Sequence, residues 1–402
     1  MSVFLTISRL RPTTSFDQTL ACQAFPFLTS GCLTEFRQGS SGCYVEPSDF
    51  PTPAPTPIGE FSPSLANQLL SCQLRVGFSR DLRYSEWNRP STHAALGLVA
   101  HAVTEVAFRV RDWPQDPSAR RQRLEDLWAQ EIQRQAARIA EAWAPATPPP
   151  AEDWLAYALT RIRTIRRAEK QVEKATRGRV KATRGGVEVK LRDESSKLFG
   201  RADRIEQVGQ ATRVIDLKTG LRQAEPSEEQ RRQLLLYAVL IHRVEGQWPV
   251  SIDVEDASGS TYSQPLVPEE AEAALAEAIA AVDSFNQVVA ESRLLAVAEP
   301  SPDRCRWCDF RVMCAPFWKA LRTDWGQRAA AGSIVGRGDS PASPYVTIEL
   351  DYPRDLAGTD LHISGLAAPV SPDATKAAAT DWVGTAGAQD SRARWSTTIR
   401  VW

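Results

Sequence analysis

The stretch FGRADRIEQVGQATRVIDLKTG, residues 199–220, constrains the fold more than any other part of this 402-residue chain. Two strand-like apolar runs flank QVGQA, and that pattern predicts a β-hairpin. Asp203 lies in the first run and Asp216 in the second. Lys218 follows Asp216 at the two-residue spacing that puts side chains on one face of a strand. Burying ionised groups is costly unless they pair or hold a metal. Two carboxylates converging beside a lysine make a cradle for a hard divalent cation such as Mg²⁺.

The surrounding pattern supplies a scaffold. VEVKL, FGRADRIE and TRVIDLKTG read as three consecutive strands, SEEQRRQLLLYAVLIHRV as a helix, and WPVSIDVEDA and TYSQPLV as further strands. PEEAEAALAEAIAAVDSFNQVVAES predicts a long helix. Upstream, Ser62 is a good N-cap and Pro63 suits the first helical position, with Leu65, Leu69 and Leu70 following at helical spacing. HAALGLVAHAVTEVAFRV predicts a largely buried helix, and residues 119–143 and 152–177 predict two more, separated by APATPPP. The expected class is α/β, a central mixed sheet flanked by helices. Glu188-Val189-Lys190 repeats the acid-x-lysine spacing, but a basic helix and not an acidic strand precedes it, so it reads as the exposed face of the first strand.

The combination GRADRIE…VIDLKTG followed by QLLLY, Gln233 to Tyr237, resembles the PD-(D/E)XK nuclease superfamily, and in particular its RecB-type branch. The branch also carries a histidine in an earlier helix, matched by His101 in LGLVAHAVTE. The resemblance implies that His101, Asp203 and Asp216 are metal ligands, joined by the Leu217 carbonyl. It implies that Lys218 is the catalytic lysine, with Gln233 and Tyr237 placing that lysine and the DNA backbone. The implied activity is Mg²⁺- or Mn²⁺-dependent hydrolysis of phosphodiester bonds in DNA, as an exonuclease on single-stranded or end-bearing DNA. Repair, recombination or phage defence is the implied setting. A catalytically inactive DNA-binding or scaffold subunit is the alternative, although every expected position of the site is filled.

Seven cysteines occur. An odd number argues against a disulfide framework. Cys305, Cys308 and Cys314 form a C-x₂-C-x₅-C cluster, and a four-thiolate centre needs one more. Cys72 is the best candidate because it lies in expected structure, whereas Cys22, Cys32 and Cys43 precede a Pro-rich linker. This arrangement resembles the iron–sulfur subset of the same nucleases, which includes AddB-type repair nucleases and the adaptation nucleases of CRISPR systems. It implies a [4Fe-4S] cluster that staples the start of the nuclease domain to its end. A structural Zn²⁺ is the other reading.

Composition, 43% hydrophobic and 24% charged, is that of an ordinary globular protein. No apolar run reaches the roughly eighteen residues of a membrane span, and the N-terminus lacks the continuous apolar centre of a secretory signal. Cytoplasmic residence is the expectation. The net charge of −1 conceals 12 Lys and Arg against 3 Glu between residues 161 and 192, a stretch suited to attracting DNA. No G-x-x-x-x-G-K-[ST] loop occurs, so any helicase motor belongs to a separate partner. The expected organisation is a poorly structured segment and linker at 1–58, the nuclease domain at 59–322, a linker at 323–340, and a small β-rich domain at 341–402. An oligonucleotide-binding barrel accommodates that last pattern, with Tyr345, Trp382 and Trp395 as stacking aromatics or core residues. A small sandwich, or a disordered tail with a few strands, accommodates it as well.

Overall fold

Ser62 begins the first helix by accepting from the Leu65 N–H at 3.2 Å. In a computed structural model this helix, α1, spans Pro63–Ser71. The structure describes residues 45–176, 186–218, 225–256, 260–338, 340, 343–384 and 391–402. Cys22, Cys32, Cys43, Thr219, Gly220 and the basic residues between 177 and 185 lie outside them. No helix among the described residues is long and apolar enough to cross a membrane.

Cys72 closes α1 and opens α2 (Gln73–Arg80). Three longer helices follow: α3 (Thr92–Arg109), α4 (Pro117–Trp143) and α5 (Tyr157–Thr176). Ser91 and Asp116 cap the first two by accepting from backbone N–H groups three residues on. Their apolar stripes close on one another around Val99, Val103, Leu124, Trp128, Ile139 and Ile165. One edge of α3 meets the sheet, and that edge carries His101.

The sheet contains β1 (Gly186–Asp193), β2 (Leu198–Val208), β3 (Ala211–Leu217), β4 (Ser251–Glu255) and β5 (Thr261–Pro265). Its order is β1-β2-β3-β4-β5, and only the β3–β4 pair is parallel. A parallel pair needs a crossover, and α6 (Glu228–Glu245) supplies it. A Ser227–Gln230 capping box starts α6, and Gly246, at φ +75°, ends it in the left-handed conformation that glycine adopts without strain. Leu234 through Ile241 are all buried, because α6 lies among the sheet, α1 and α7 (Pro268–Ala290). Ala271, Ala274, Leu275, Ala278, Val282 and Phe285 form the matching stripe of α7. The short helices α8 (Pro302–Cys305) and α9 (Ala315–Ala320) bracket the remaining two cysteines of the distal cluster.

Two segments differ from the expected organisation. Residues 45–58 are packed, with Pro53, Pro55 and Ile58 buried along an extended path. Their backbone polar groups are met by side chains: Val45 donates to Asp351, Ala54 to Asp81, and Ile58 exchanges two bonds with Asn286. The Pro-rich composition correctly signals extended chain, but its apolar rings bury instead of bridging solvent. The second difference is the expected linker at 323–340, which contains β6 (Ala329–Gly338). This strand pairs with β7 (Tyr345–Tyr352) and β9 (Lys376–Thr380). With β8 (Asp360–Ser364), β10 (Ser391–Arg392) and β11 (Thr398–Val401) they make a six-stranded sheet ordered β10-β8-β7-β6-β9-β11. Among the described residues β10 and β11 each have one sheet neighbour, in place of the continuous pairing of a closed barrel. Of the three aromatics considered for base stacking, Trp382 is buried in this unit, and Trp395 packs edge-on against Trp143 of α4.

Candidate active site

Strand register assembles the acidic residues. The pairs Val187↔Arg204 and Val189↔Ala202 place Glu188 across from Asp203. One step beyond the Arg204↔Ile215 pair, Asp203 comes opposite Asp216. Gly209, at φ +67°, makes the turn between β2 and β3 that fixes this alignment. The Leu217 N–H donates to Asp203 Oδ2 at 2.7 Å, and the Lys218 N–H donates to the Glu255 carbonyl at 2.9 Å. The end of β3 is thereby tied on both sides.

Lys218 Nζ stands 2.7 Å from Asp216 Oδ2 and forms an ion pair with it. That oxygen is buried and accepts no hydrogen bond from any described group. From α3, His101 Nδ1 approaches Asp203 Oδ1 at 3.6 Å and Glu188 Oε1 at 3.4 Å. Among the described residues His101, Glu188 and Asp203 are the group whose ligand atoms all lie within 4.8 Å of one another. Two adjacent strands and the much earlier α3 therefore deliver donors to one place.

Glu188 corrects the sequence reading. Its side chain is 11% exposed, and it turns into the site while Lys190 remains exposed on β1. The sequence reading set it aside because a basic helix, and not an acidic strand, precedes β1, whereas the acidic strand lies beside it as β2. Its acid-x-lysine spacing, on the strand next to the acidic hairpin, was the available signal.

Behind the carboxylates, Tyr237 of α6 is hydrogen-bonded to Gln233, the i and i+4 positions of one helical face. Its ring lies against Gly200, where an added Cβ would stand 2.7 Å from Tyr237 Cε1. Glycine at position 200 therefore lets the aromatic ring reach the hairpin. Burial and the negative field of Asp203 raise the Tyr237 pKa, so its hydroxyl stays protonated.

The electrostatics are those of a site short of positive charge. Burial pushes the Asp203 pKa up to about 7, against the pull of His101 and with further push from Asp216 and Glu188. Burial opposes charge on His101, but its hydrogen bond to Glu188 and the fields of Asp203 and Asp216 raise its pKa. Mixed carboxylate and imidazole donors, one buried carboxylate oxygen without a hydrogen bond, and a carboxyl driven towards neutrality together fit a divalent cation.

A pH dependence follows. A divalent cation held by Asp203 would compete with its proton, so Mn²⁺ affinity should rise with pH through about 7. Calorimetric titrations at about pH 5.5 and pH 8 should differ by about 30-fold, the ratio of ionised Asp203 for a pKa near 7. In metal-free protein the same raised pKa contributes stability below the ordinary carboxylate range and loses it as pH rises through about 7.

The model of the PD-(D/E)XK nuclease superfamily matches residues 60–315, a span that runs from the start of α1 to the last distal cysteine. This chain belongs to the PD-(D/E)XK nuclease superfamily. No curated protein matches it. The superfamily hydrolyses phosphodiester bonds and uses divalent metals, in keeping with the donor set on α3, β1, β2 and β3.

The distal cysteines sit at element ends. Cys72 precedes α2, Cys305 ends α8, and Cys314 precedes α9. Burial raises the thiol pKa of Cys305, of Cys308 to about 12, and of Cys314 well above the ordinary range. Each of these three also feels the charge of Cys72. Among the described residues, no three of the cysteines bring their sulfurs within 4.8 Å of one another.

Proposed function

We propose that this PD-(D/E)XK protein is a Mg²⁺- or Mn²⁺-dependent deoxyribonuclease acting on single-stranded or end-bearing DNA. The observation that carries the reading is the approach of His101 to Asp203, with Asp216 opposite Asp203 across the hairpin and Lys218 beside Asp216. His101, Asp203, Asp216 and the Leu217 carbonyl would hold the ion. A divalent cation there supplies Lewis acidity towards a phosphodiester. Lys218 offers an ammonium where negative charge grows during hydrolysis. Tyr237, kept protonated and oriented by Gln233, presents a donor on the α6 side for the DNA backbone. Exposed Arg166 and Lys170 on α5 continue the basic stretch and favour an anionic polymer. Repair, recombination or phage defence would use such an activity, with a separate helicase subunit preparing DNA ends.

The test is digestion of end-labelled linear and covalently closed circular DNA, with Mg²⁺ or Mn²⁺ and with chelator. Cation-dependent loss of linear DNA, with circles spared, supports the exonuclease. Binding without cleavage under any divalent cation would leave the scaffold reading.

The same proposal assigns Cys72, Cys305, Cys308 and Cys314 to a [4Fe-4S] cluster. Arg311 and Arg75 offset part of the burial that raises the thiols of Cys305 and Cys308. Thiolate ligation would tie the α1–α2 junction to the segment before α9, making cluster loading part of folding. Anaerobically purified protein should show broad absorbance near ~400 nm. Colourless protein carrying one zinc ion per chain would decide for the structural-zinc alternative.

A further inference from the structure

We infer that the outer face of the β1–β2 pair is a track for a single DNA strand, with Lys190 gripping its phosphates and Phe199 stacking on a base. The inference rests on the nuclease reading and gives the substrate of that site a route. Its ground is the strand register. Lys190 pairs with Arg201, and Arg192 with Phe199, in continuous register with the row of Glu188 and Asp203. Residues two apart on a strand, and residues directly opposed across a pair, share a face. Phe199, Arg201 and Asp203 therefore point one way, while Leu198 and Ala202 are buried on the other. From Asp203 to Phe199 this face runs roughly 13 Å, starting at the acidic site.

His101 of α3 covers only the acidic end of the face. Beyond it, Lys190, Arg192, Phe199 and Arg201 are all exposed. Lys190 and Arg201 stand directly opposite one another, where like charges repel. Arg201 turns to Glu105 and Glu188, and Arg192 to Glu60 and Glu194. Those contacts leave the Lys190 charge to solvent, where a phosphate would offset it. Phe199 is 39% exposed, a large ring set among cations. Its backbone is held from both edges, by Arg192 of β1 and by the Phe61 carbonyl, which accepts the Phe199 N–H at 3.0 Å. An aromatic face fixed in a basic strip takes unpaired bases of any sequence. A duplex keeps its base faces stacked inside, so the geometry selects a single strand.

The test measures binding of labelled oligothymidylate by fluorescence anisotropy, in chelator so that none is cut, for the parent, Phe199→Leu and Lys190→Gln. Phe199→Leu keeps an apolar side chain but removes the ring, and it should weaken binding at least about 5-fold. Lys190→Gln should weaken binding and reduce the slope of log affinity against log salt by about 0.7, the share of one phosphate contact on a single strand. Melting temperatures should change little, because both side chains lie on an exposed face. Parental affinity in both variants overturns the inference alone, and so does a lowered melting temperature of Phe199→Leu without weaker binding. A parent that neither binds the oligonucleotide nor cuts it with Mn²⁺ overturns the inference together with the nuclease reading.

Discussion

Asp216→Ala is expected to lower cation-dependent DNA cleavage by at least about 10³-fold, the scale seen when a principal electrostatic contributor to hydrolysis is removed. Two features of the site make the effect specific. Asp216 is 3% exposed near the end of β3, with Lys218 just beyond that end, so alanine removes a proposed cation donor and the partner of the ammonium at once. Its Oδ2 accepts no hydrogen bond and its ion pair is with a one-third exposed Lys218, so its loss should cost little stability in metal-free protein. It should also relieve Asp203, whose raised pKa owes part of its shift to Asp216. The expected signature is therefore inactive protein with a little-changed melting temperature, retained DNA binding and weakened Mn²⁺ binding. Lys218→Ala separates the roles, since it should lose cleavage while retaining Mn²⁺ affinity. Retained cleavage in both variants, measured on end-labelled DNA, would remove this site from the chemistry.

The largest expected effect on stability is that of Trp318→Ala, at about 3–5 kcal/mol. Trp318 is fully buried on α9 where three parts of the chain meet. It stacks on Phe50 of the Pro-rich segment, with centroids 6.2 Å apart, and meets Phe317 edge-on at 4.9 Å. Tyr352 of β7 completes the contact from the C-terminal sheet, at 6.4 Å. A cavity here removes apolar contacts from all three, and the surrounding elements cannot close it without moving a sheet. At about 2.1 cal/mol/K per residue, cooperative unfolding of the whole chain converts this loss to a drop of roughly 4–6 °C. Trp318→Phe should recover most of it, because the indole N–H has no hydrogen-bond partner to lose. An unchanged melting temperature for the alanine variant would show that these parts are not coupled through α9. Selective proteolysis of the C-terminal sheet would locate the loss.

The acidic hairpin was legible because alternation, the Gly209 turn and the Asp216–Lys218 spacing all point to one geometry. The helices α1, α3 and α6 were legible from their caps and apolar stripes. His101 was not distinguishable from a core histidine by its own context. It stood out only through resemblance, and α3 does bring it to Asp203. Glu188 was set aside because a basic helix precedes its strand, although that strand pairs with the acidic hairpin. AAAGSIVGRG reads as a linker because alanine and glycine have little strand preference. It forms β6 because small residues let it pack closely beside Ala377, Ala378 and Ala379 of β9. Pro53 and Pro55 likewise announce extended chain without revealing that a groove receives them.

Anomalous diffraction from crystals of the protein soaked in Mn²⁺ tests the cation site most directly. A single strong peak within bonding reach of His101, Asp203 and Asp216, with the Lys218 ammonium beside it, is the predicted result. Saturating Mn²⁺ with no peak among these residues, or a peak held only by other side chains, would contradict it.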